Sequence, residues 1–275
     1  MRCTTLLVCL LVGLLASTAS LAQTKLYVFD CGSISMADVS AFGLTNEETD
    51  ARELFVPCYM IEHAGKRMLW DGGLPLAMVG SEKPVEISGM QMTYQRSLLD
   101  QLADMQLSPA DFDYVAYSHF HFDHIGAANA FADVPLLIQA AEAQAAFSEH
   151  EQYDVFDLAQ YAEVVDSPRI TLSGDHDVFG DGVVTLVSAQ GHTPGHQVLM
   201  VHLQNYGTVI LSGDLYHFAE TRKLRRVPVF NTDPGATLAA MDKVEGLIEA
   251  HNATLWIEHV KAQADTLKKA PQFYD

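Results

Sequence analysis

The chain has 275 residues, of which 49% are hydrophobic and 19% are charged. This is enough apolar material for the core of one large domain or two small ones. Sixteen Lys and Arg against 35 Asp and Glu give a formal net charge of −19. A surface this acidic repels phosphate groups, which argues against nucleic acid and anionic membranes as partners. The sequence shows no heptad array, collagen period or low-complexity tract, so fibrous and disordered classes are excluded.

The N-terminus has the features of an export signal. Arg2 supplies a positive charge, residues 6–15 form an apolar run, and Ser20-Leu21-Ala22 places small residues at a cleavage site. The apolar run is too short to cross a bilayer as a helix, so an uncleaved membrane anchor is the less favoured alternative. We therefore expect residues 1–22 to be removed. The mature chain, residues 23–275, is then a periplasmic or secreted protein that does not insert into the membrane.

Two cysteines, Cys31 and Cys58, remain after cleavage. In an oxidising compartment they can form a disulfide, and the alternative is two buried free thiols. The sequence does not decide between these because it gives no Cα separation. Once Cys3 and Cys9 are removed with the signal, no second cysteine pair is left to complete a zinc site.

The first half of the chain is predicted to be rich in strands. An apolar strand is expected at residues 26–29, and a hairpin at 55–62 and 67–70. Residues 33–54 are polar and aperiodic, which predicts a long functional loop. Thr93 is predicted to cap a helix that buries Tyr94, Leu98, Leu102 and Met105.

The second half alternates strands and helices. A buried strand at 114–117 is followed by an Ala-rich helix at 140–147. Asp233-Pro234 predicts the start of a helix, because Pro is favoured at the first helical position. No linker or internal repeat interrupts the chain, so we predict a single domain. Further strands are predicted at 183–187, 197–203, 208–211 and 253–257.

A cluster of histidines follows the strand at 114–117. His119 and His121 are two residues apart and point to one side of an extended backbone, and Asp123 and His124 come after a turn. Three imidazoles and a carboxylate within six residues form a donor set that Zn²⁺ favours. A lone histidine is usually a surface or core residue. Three histidines and an aspartate in one loop at the end of a strand instead favour a metal site.

Three further donors each follow an apolar strand: His192, Asp214 and His259. An Asp after a strand is, taken singly, usually a turn or helix cap. Side chains from several strand ends can nevertheless meet at one edge of a sheet scaffold and build a rigid site. The predicted ligand set therefore has seven members: His119, His121, Asp123, His124, His192, Asp214 and His259.

The string His-x-His-x-Asp-His, followed by Gly-His-Thr-Pro-Gly-His, Gly-Asp and a late His, resembles the metallo-β-lactamase superfamily over residues 26–259. The resemblance implies an α/β fold, an αββα sandwich of two mixed sheets with helices outside. It also implies two divalent metal ions, with Zn²⁺ favoured, and Asp71 orienting a ligand imidazole. The implied first group is His119, His121 and His192; the second is Asp123, His124 and His259; Asp214 bridges them.

Within the superfamily, the opening strand, residues 57–60 and the 71–75 turn look most like the N-acyl homoserine lactonases, the quorum-quenching branch. That likeness implies opening of a lactone ring by a metal-bridging hydroxide, with Asp123 carrying a proton to the leaving oxygen. The branch commonly has a tyrosine three residues after the bridging aspartate. Here that position is His217, and Tyr216 precedes it, so either residue could contact the substrate carbonyl.

Other hydrolases on the same fold remain alternatives: an aryl-esterase, a β-lactamase or a glyoxalase II-like thioesterase. A non-enzymatic metal-binding module is less favoured. Met36, Phe42 and residues 78–92 could line a groove for an apolar acyl chain, although Met more often fills gaps in a core. The oligomeric state is open, with a homodimer as one option.

Several polar residues are given structural roles. His196 is expected to support the site or the core, and the basic run at 222–226 is expected in a solvated strand or loop rather than a clamp for an anion. Four histidines are predicted to be exposed: His63, His150, His176 and His251.

Overall fold

The computed structural model describes residues 23–148, 156 and 158–275. The predicted export signal and His150 lie outside these residues. The strands of the described part are β1 (Lys25–Met36), β2 (Glu53–His63), β3 (Lys66–Trp70), β4 (Val85–Ile87), β5 (Met90–Thr93), β6 (Tyr114–Ala116), β7 (Leu136–Gln139), β8 (Arg169–Leu172), β9 (His176–Asp177), β10 (Val184–Ser188), β11 (Gln197–Leu203), β12 (Gly207–Leu211), β13 (Thr254–Trp256) and β14 (Phe273–Tyr274). The α-helices are α1 (Leu98–Asp104), α2 (Ala140–Phe147), α3 (Ala219–Leu224), α4 (Pro234–His251) and α5 (Lys261–Ala264).

The strands form two mixed sheets. The larger has the order β4-β5-β1-β2-β3-β6-β7-β8, with β14 also paired to β1. Strands β3, β6, β7 and β8 are parallel to one another, and the remaining pairs are antiparallel. The smaller has the order β13-β12-β11-β10-β9, in which only β12 and β13 are parallel.

Three apolar layers hold the fold together. Val28 and Trp70 of the larger sheet pack against Leu186 and Leu211 of the smaller one. Helices α1 and α2 cover the outer face of the larger sheet, and α4 covers that of the smaller. Strand β2 is buried along nearly its whole length because both of its faces are covered. The result is helix, sheet, sheet, helix, so the predicted αββα sandwich is confirmed.

Two element predictions were wrong in detail. Helix α1 begins at Leu98, and its N-cap is Ser97, whose hydroxyl accepts from the Asp100 amide at 3.0 Å. Thr93 instead ends β5. The predicted 33–54 loop is shorter, because β1 passes a bulge and pairs with β5 as far as Met36.

The environments of His63 and the basic run also differ from the predictions. His63 is only 3% exposed, and its ring lies 2.7 Å from both Thr24 Oγ1 and Asp181 Oδ2. The basic run ends helix α3, where Arg222 donates two hydrogen bonds, at 2.7 and 2.8 Å, to Glu245 of α4. The partners of both groups are distant in sequence, so local pattern could not reveal them.

Cys31 and Cys58 form a disulfide between the neighbouring strands β1 and β2, with a Cα separation of 5.8 Å. Of the two open alternatives, the pairing is therefore the one found. Among the described residues, no helix is both long and apolar enough to cross a membrane.

Candidate metal centre

Four strand ends bring the predicted ligands to one edge of the sandwich. The segment after β6 forms the histidine loop, residues 118–124, and the segment after β10 forms the Gly-His turn, residues 191–196. Asp214 follows β12, and His259 follows β13. All seven predicted ligands are buried: His119, His121, Asp123, His124, His192, Asp214 and His259.

Asp214 lies between two groups of ligands. Its Oδ2 is 3.5 Å from His119 Nε2 and 3.2 Å from His192 Nε2. Its Oδ1 is 3.3 Å from His124 Nε2 and 2.8 Å from His259 Nε2. The donor atoms of each group lie within 4.8 Å of one another; the groups are His119, His121, His192 and Asp214, and Asp123, His124 and His259.

Three of these atoms are buried without a hydrogen bond. Among the described residues, His124 Nε2, His259 Nε2 and Asp214 Oδ1 have no hydrogen-bond partner, although both nitrogens lie within 3.3 Å of that oxygen. Buried polar atoms without partners destabilise a fold. Their convergence, in a donor set of imidazole and carboxylate, therefore fits divalent metal ions.

Two imidazoles and the central carboxylate are held in the protonation states that bind metal, whereas the carboxylates of Asp214 and Asp123 outweigh burial and raise the pKa of His124 and His259. Burial, reinforced by the neighbouring imidazoles, lowers the pKa of His119 and His121 well below the usual value, so both are neutral at pH 7. Burial alone would raise the pKa of Asp214, but the surrounding imidazoles, His217 first, hold it well below its usual range. Asp214 is therefore a carboxylate.

Hydrogen bonds fix the orientation of the ligands. Asp71 follows β3 with a φ of +57° and accepts from the Ser118 amide at 2.6 Å. Its other oxygen accepts from His124 Nδ1 at 3.0 Å, which turns Nε2 toward the centre. His259 Nδ1 donates to the Phe55 carbonyl at 2.8 Å. The position predicted for Asp71 is thus the one observed.

His196 supports Asp214 through the backbone. Its Nε2 accepts from the Asp214 amide at 3.0 Å, and its Nδ1 donates to the Ala189 carbonyl at 3.0 Å. Burial lowers the pKa of His196 to about 3, so the ring stays neutral in this arrangement. It fixes the backbone of the residue that lies between the two groups.

The structure brings His217 to the centre but not Tyr216. His217 Nε2 is 3.0 Å from Asp214 Oδ2. The Tyr216 hydroxyl instead donates to Glu245 Oε1 at 2.9 Å, between the smaller sheet and α4. Tyr216 is extended, and successive side chains of an extended backbone point in opposite directions.

Aromatic rings and a cavity surround the centre. Phe42 lies 5.0 Å from the His217 ring, and Phe230 lies 5.8 Å from the His192 ring, between centroids. A cavity of about 420 Å³ opens beside His259 and Phe218. Met36 and Phe42 both pack in the apolar layer outside the larger sheet, and of these two Phe42 has its ring against that of His217.

Two buried carboxyl groups near the centre were missed by sequence reasoning. Glu142, in the first turn of α2, accepts from the Phe120 and Gly195 amides. Glu258 has an oxygen 3.9 Å from His124 Nδ1, and burial raises its pKa well above the usual value. Glu142 gave no signal in an Ala-rich helix, and the only signal for Glu258 was its position beside His259.

Residues 51–255 match the Metallo-beta-lactamase superfamily, and the chain belongs to this family. The chain is 28% identical to the N-acyl homoserine lactonase AttM of Rhizobium radiobacter, covering 92% of this chain and 100% of the relative. It is 27% identical to an N-acyl homoserine lactonase of a Bacillus species, covering 90% of this chain and 98% of the relative. The resemblance seen in the sequence is confirmed.

Solved structures share the fold. An N-acyl homoserine lactone hydrolase with the product N-hexanoyl-L-homoserine at its catalytic metal centre superposes with a TM-score of 0.77, at 23% identity, over 92% of this chain and 99% of that chain. The dizinc quorum-quenching lactonase AidC superposes with a TM-score of 0.63, at 17% identity, over 93% of this chain and 97% of that chain.

Proposed function

We propose that this protein is a metal-dependent hydrolase that opens the lactone ring of N-acyl homoserine lactones. The observation that carries the proposal is Asp214, whose two oxygens face two separate groups of buried ligands. The relatives named above as N-acyl homoserine lactonases support the substrate class. Zn²⁺ is the proposed metal because the donors are mainly imidazoles.

Two bound divalent cations would polarise the ester carbonyl and supply a water whose pKa is near neutral. The chain holds the site for them with the neutral imidazoles of His119 and His121 and with the ionised Asp214. His217, whose Nε2 lies 3.0 Å from Asp214, is the residue that we propose contacts the carbonyl oxygen. Asp123 lies farther from its neighbours, 3.8 Å from His124 Nε2 and 3.7 Å from His259 Nε2, and in the proposed mechanism it carries a proton to the leaving oxygen.

The surroundings of the centre suit a neutral ester with an apolar tail. Phe42 and Phe230 form an apolar wall beside the ligands, and a separate cavity next to His259 is lined by Phe218 and Val260 and by charged residues such as Arg52 and Glu220. The net charge of −19 disfavours a polyanionic substrate. An acyl chain would therefore lie against the aromatic side of the site.

The proposal includes export. The disulfide between Cys31 and Cys58 supports an oxidising compartment, and the sequence of residues 1–22 has the features of a cleaved signal. Outside the cytoplasm, the enzyme would meet lactones as they diffuse.

The test is a substrate panel on purified, metal-loaded protein. Acyl-homoserine lactones of several lengths, a β-lactam, S-lactoylglutathione and a nitrophenyl ester are compared, and lactone opening is followed by its release of one proton. Lactone turnover well above the other substrates is the expected result. Background turnover of every lactone, together with efficient cleavage of another substrate, would assign the protein to a different branch of the family.

A further inference from the structure

Glu142 joins the two loops that carry the first group of ligands. Its Oε1 accepts from the Phe120 amide at 3.0 Å, between His119 and His121. Its Oε2 accepts from the Gly195 amide at 2.7 Å, three residues after His192. One carboxyl group thus contacts the histidine loop with one oxygen and the Gly-His turn with the other.

The packing around Glu142 is close. The side chain is 2% exposed, and a Cβ at Gly195 would overlap the backbone nitrogen and the Cβ of Glu142. Gly195 therefore lets the Gly-His turn lie directly on the first turn of α2. Burial raises the pKa of Glu142 to about 7, against the Thr193 side chain and the two backbone amides, which favour the charged form. Burial of a carboxyl group is unfavourable unless its oxygens are hydrogen-bonded, and here both oxygens accept hydrogen bonds from the two loops.

The loops need such a connection because they belong to different sheets. The histidine loop follows β6 of the larger sheet, and the Gly-His turn follows β10 of the smaller one. Gln197 joins the two loops at their base, where its backbone N–H donates to the Ser118 carbonyl at 2.9 Å. Glu142 joins them at the level of the ligands themselves.

We propose that Glu142 is a positioning residue that sets the distance between His119 and His121 on one loop and His192 on the other. Its role is confined to the first group, since the second group has no member on the Gly-His turn. This inference rests on the metal centre of the proposed function and is independent of the substrate.

The main test is Glu142→Gln, which keeps the shape of the side chain. The amide has one acceptor oxygen and an NH₂ donor, so one backbone N–H loses its partner. Zn²⁺ binding is titrated against a chromophoric chelator in two backgrounds. In His259→Ala, where only the first group is complete, Glu142→Gln should weaken binding about 10- to 100-fold. In His192→Ala, where only the second is complete, binding should stay nearly unchanged. Glu163→Gln, at an exposed carboxylate, is the matched control.

Hydrogen exchange of the metal-free chain, wild type and Glu142→Gln, gives a second readout that does not depend on metal binding. The Phe120 and Gly195 amides should be protected, and Glu142→Gln should expose at least one of them. Equal weakening in both backgrounds, or exchange of these amides at the rate of exposed loops, would overturn the inference. Failure of both backgrounds and of the wild type to bind metal would instead refute the metal centre, and exchange would still decide the contacts of Glu142.

Discussion

At the scale of single residues, His217 and Tyr216 show how neighbours in sequence serve different parts of the molecule. We expect His217→Ala to lower kcat for lactone opening about 10²-fold or more, because the role proposed for His217 is to contact the negative charge that develops on the carbonyl oxygen. Tyr216→Phe should leave kcat almost unchanged and lower the free energy of unfolding by about 0.5–1.5 kcal/mol through the lost bond to Glu245. Steady-state kinetics and urea unfolding check both. The reverse pattern would make Tyr216 the contact to the carbonyl.

Asp214 is the residue on which both ligand groups depend. Asp214→Ala removes the carboxylate that faces four of the predicted ligand imidazoles, so at least one of the two metal ions and nearly all activity should be lost. Elemental analysis after metal-replete purification measures the first effect, and lactone turnover the second. Asp242→Ala, at an exposed partner of Arg225, is the control. A variant that retains two ions and full turnover would contradict the bridging role.

At the scale of elements, the disulfide connects β1 to β2 directly under the turn that carries Asp71. A Cβ at Gly73 would overlap Cys31, so this turn packs on the disulfide itself. Closing a loop of 27 residues restricts the unfolded chain. The Cys31→Ala, Cys58→Ala double variant should therefore lose about 3–4 kcal/mol of unfolding free energy. Urea unfolding measures this loss, and the wild type in reductant should approach the double variant. Equal stability of the reduced and oxidised wild type would contradict the predicted stabilisation by the disulfide.

Helix α2 contributes a pH dependence through Glu142. Its pKa is about 7 in the folded protein and near the ordinary 4.5 when unfolded. Between these values the folded state binds more protons, so the unfolding free energy of the metal-free chain falls as pH rises. The unfolding free energy of the wild type minus that of Glu142→Gln should decrease by about 2–3 kcal/mol from pH 5 to pH 8. Urea unfolding at the two pH values checks this. A constant difference would mean that Glu142 does not titrate in this range.

Elements with a strong local pattern were predictable from the sequence. The bounds of α2 and β11 agree with the prediction, because an Ala-rich stretch and a continuous apolar run carry their own signal. Helix α1 was displaced, because the polar Thr93 reads as a cap while β5 continues to it through pairing with β1. Pairing between strands about 60 residues apart cannot be recognised from the local sequence around Thr93.

At the scale of the whole molecule, the predicted ligands have a local sequence pattern, whereas the residues that hold them depend on contacts between distant parts of the chain. The ligands cluster in sequence or follow apolar strands, so their convergence could be anticipated. Glu142 and His63 depend on partners 53 and 118 residues away, which only the folded chain brings together. Sequence reasoning therefore found the donors of the centre and missed part of the frame around them.

The contacts of Gln23 and Thr24 are compatible with removal of residues 1–22. Thr24 is 4% exposed and lies 2.7 Å from His63 Nδ1, and Gln23 donates to Asp275 at 2.6 Å. Cleavage after Ala22 would keep both contacts, whereas cleavage a few residues later would cut into β1. We expect N-terminal sequencing of protein recovered from the periplasm or medium to begin at Gln23. Ala22→Phe, which places a bulky residue at the cleavage site, should leave the precursor uncut. Recovery of the wild type with Met1 intact would refute the processing.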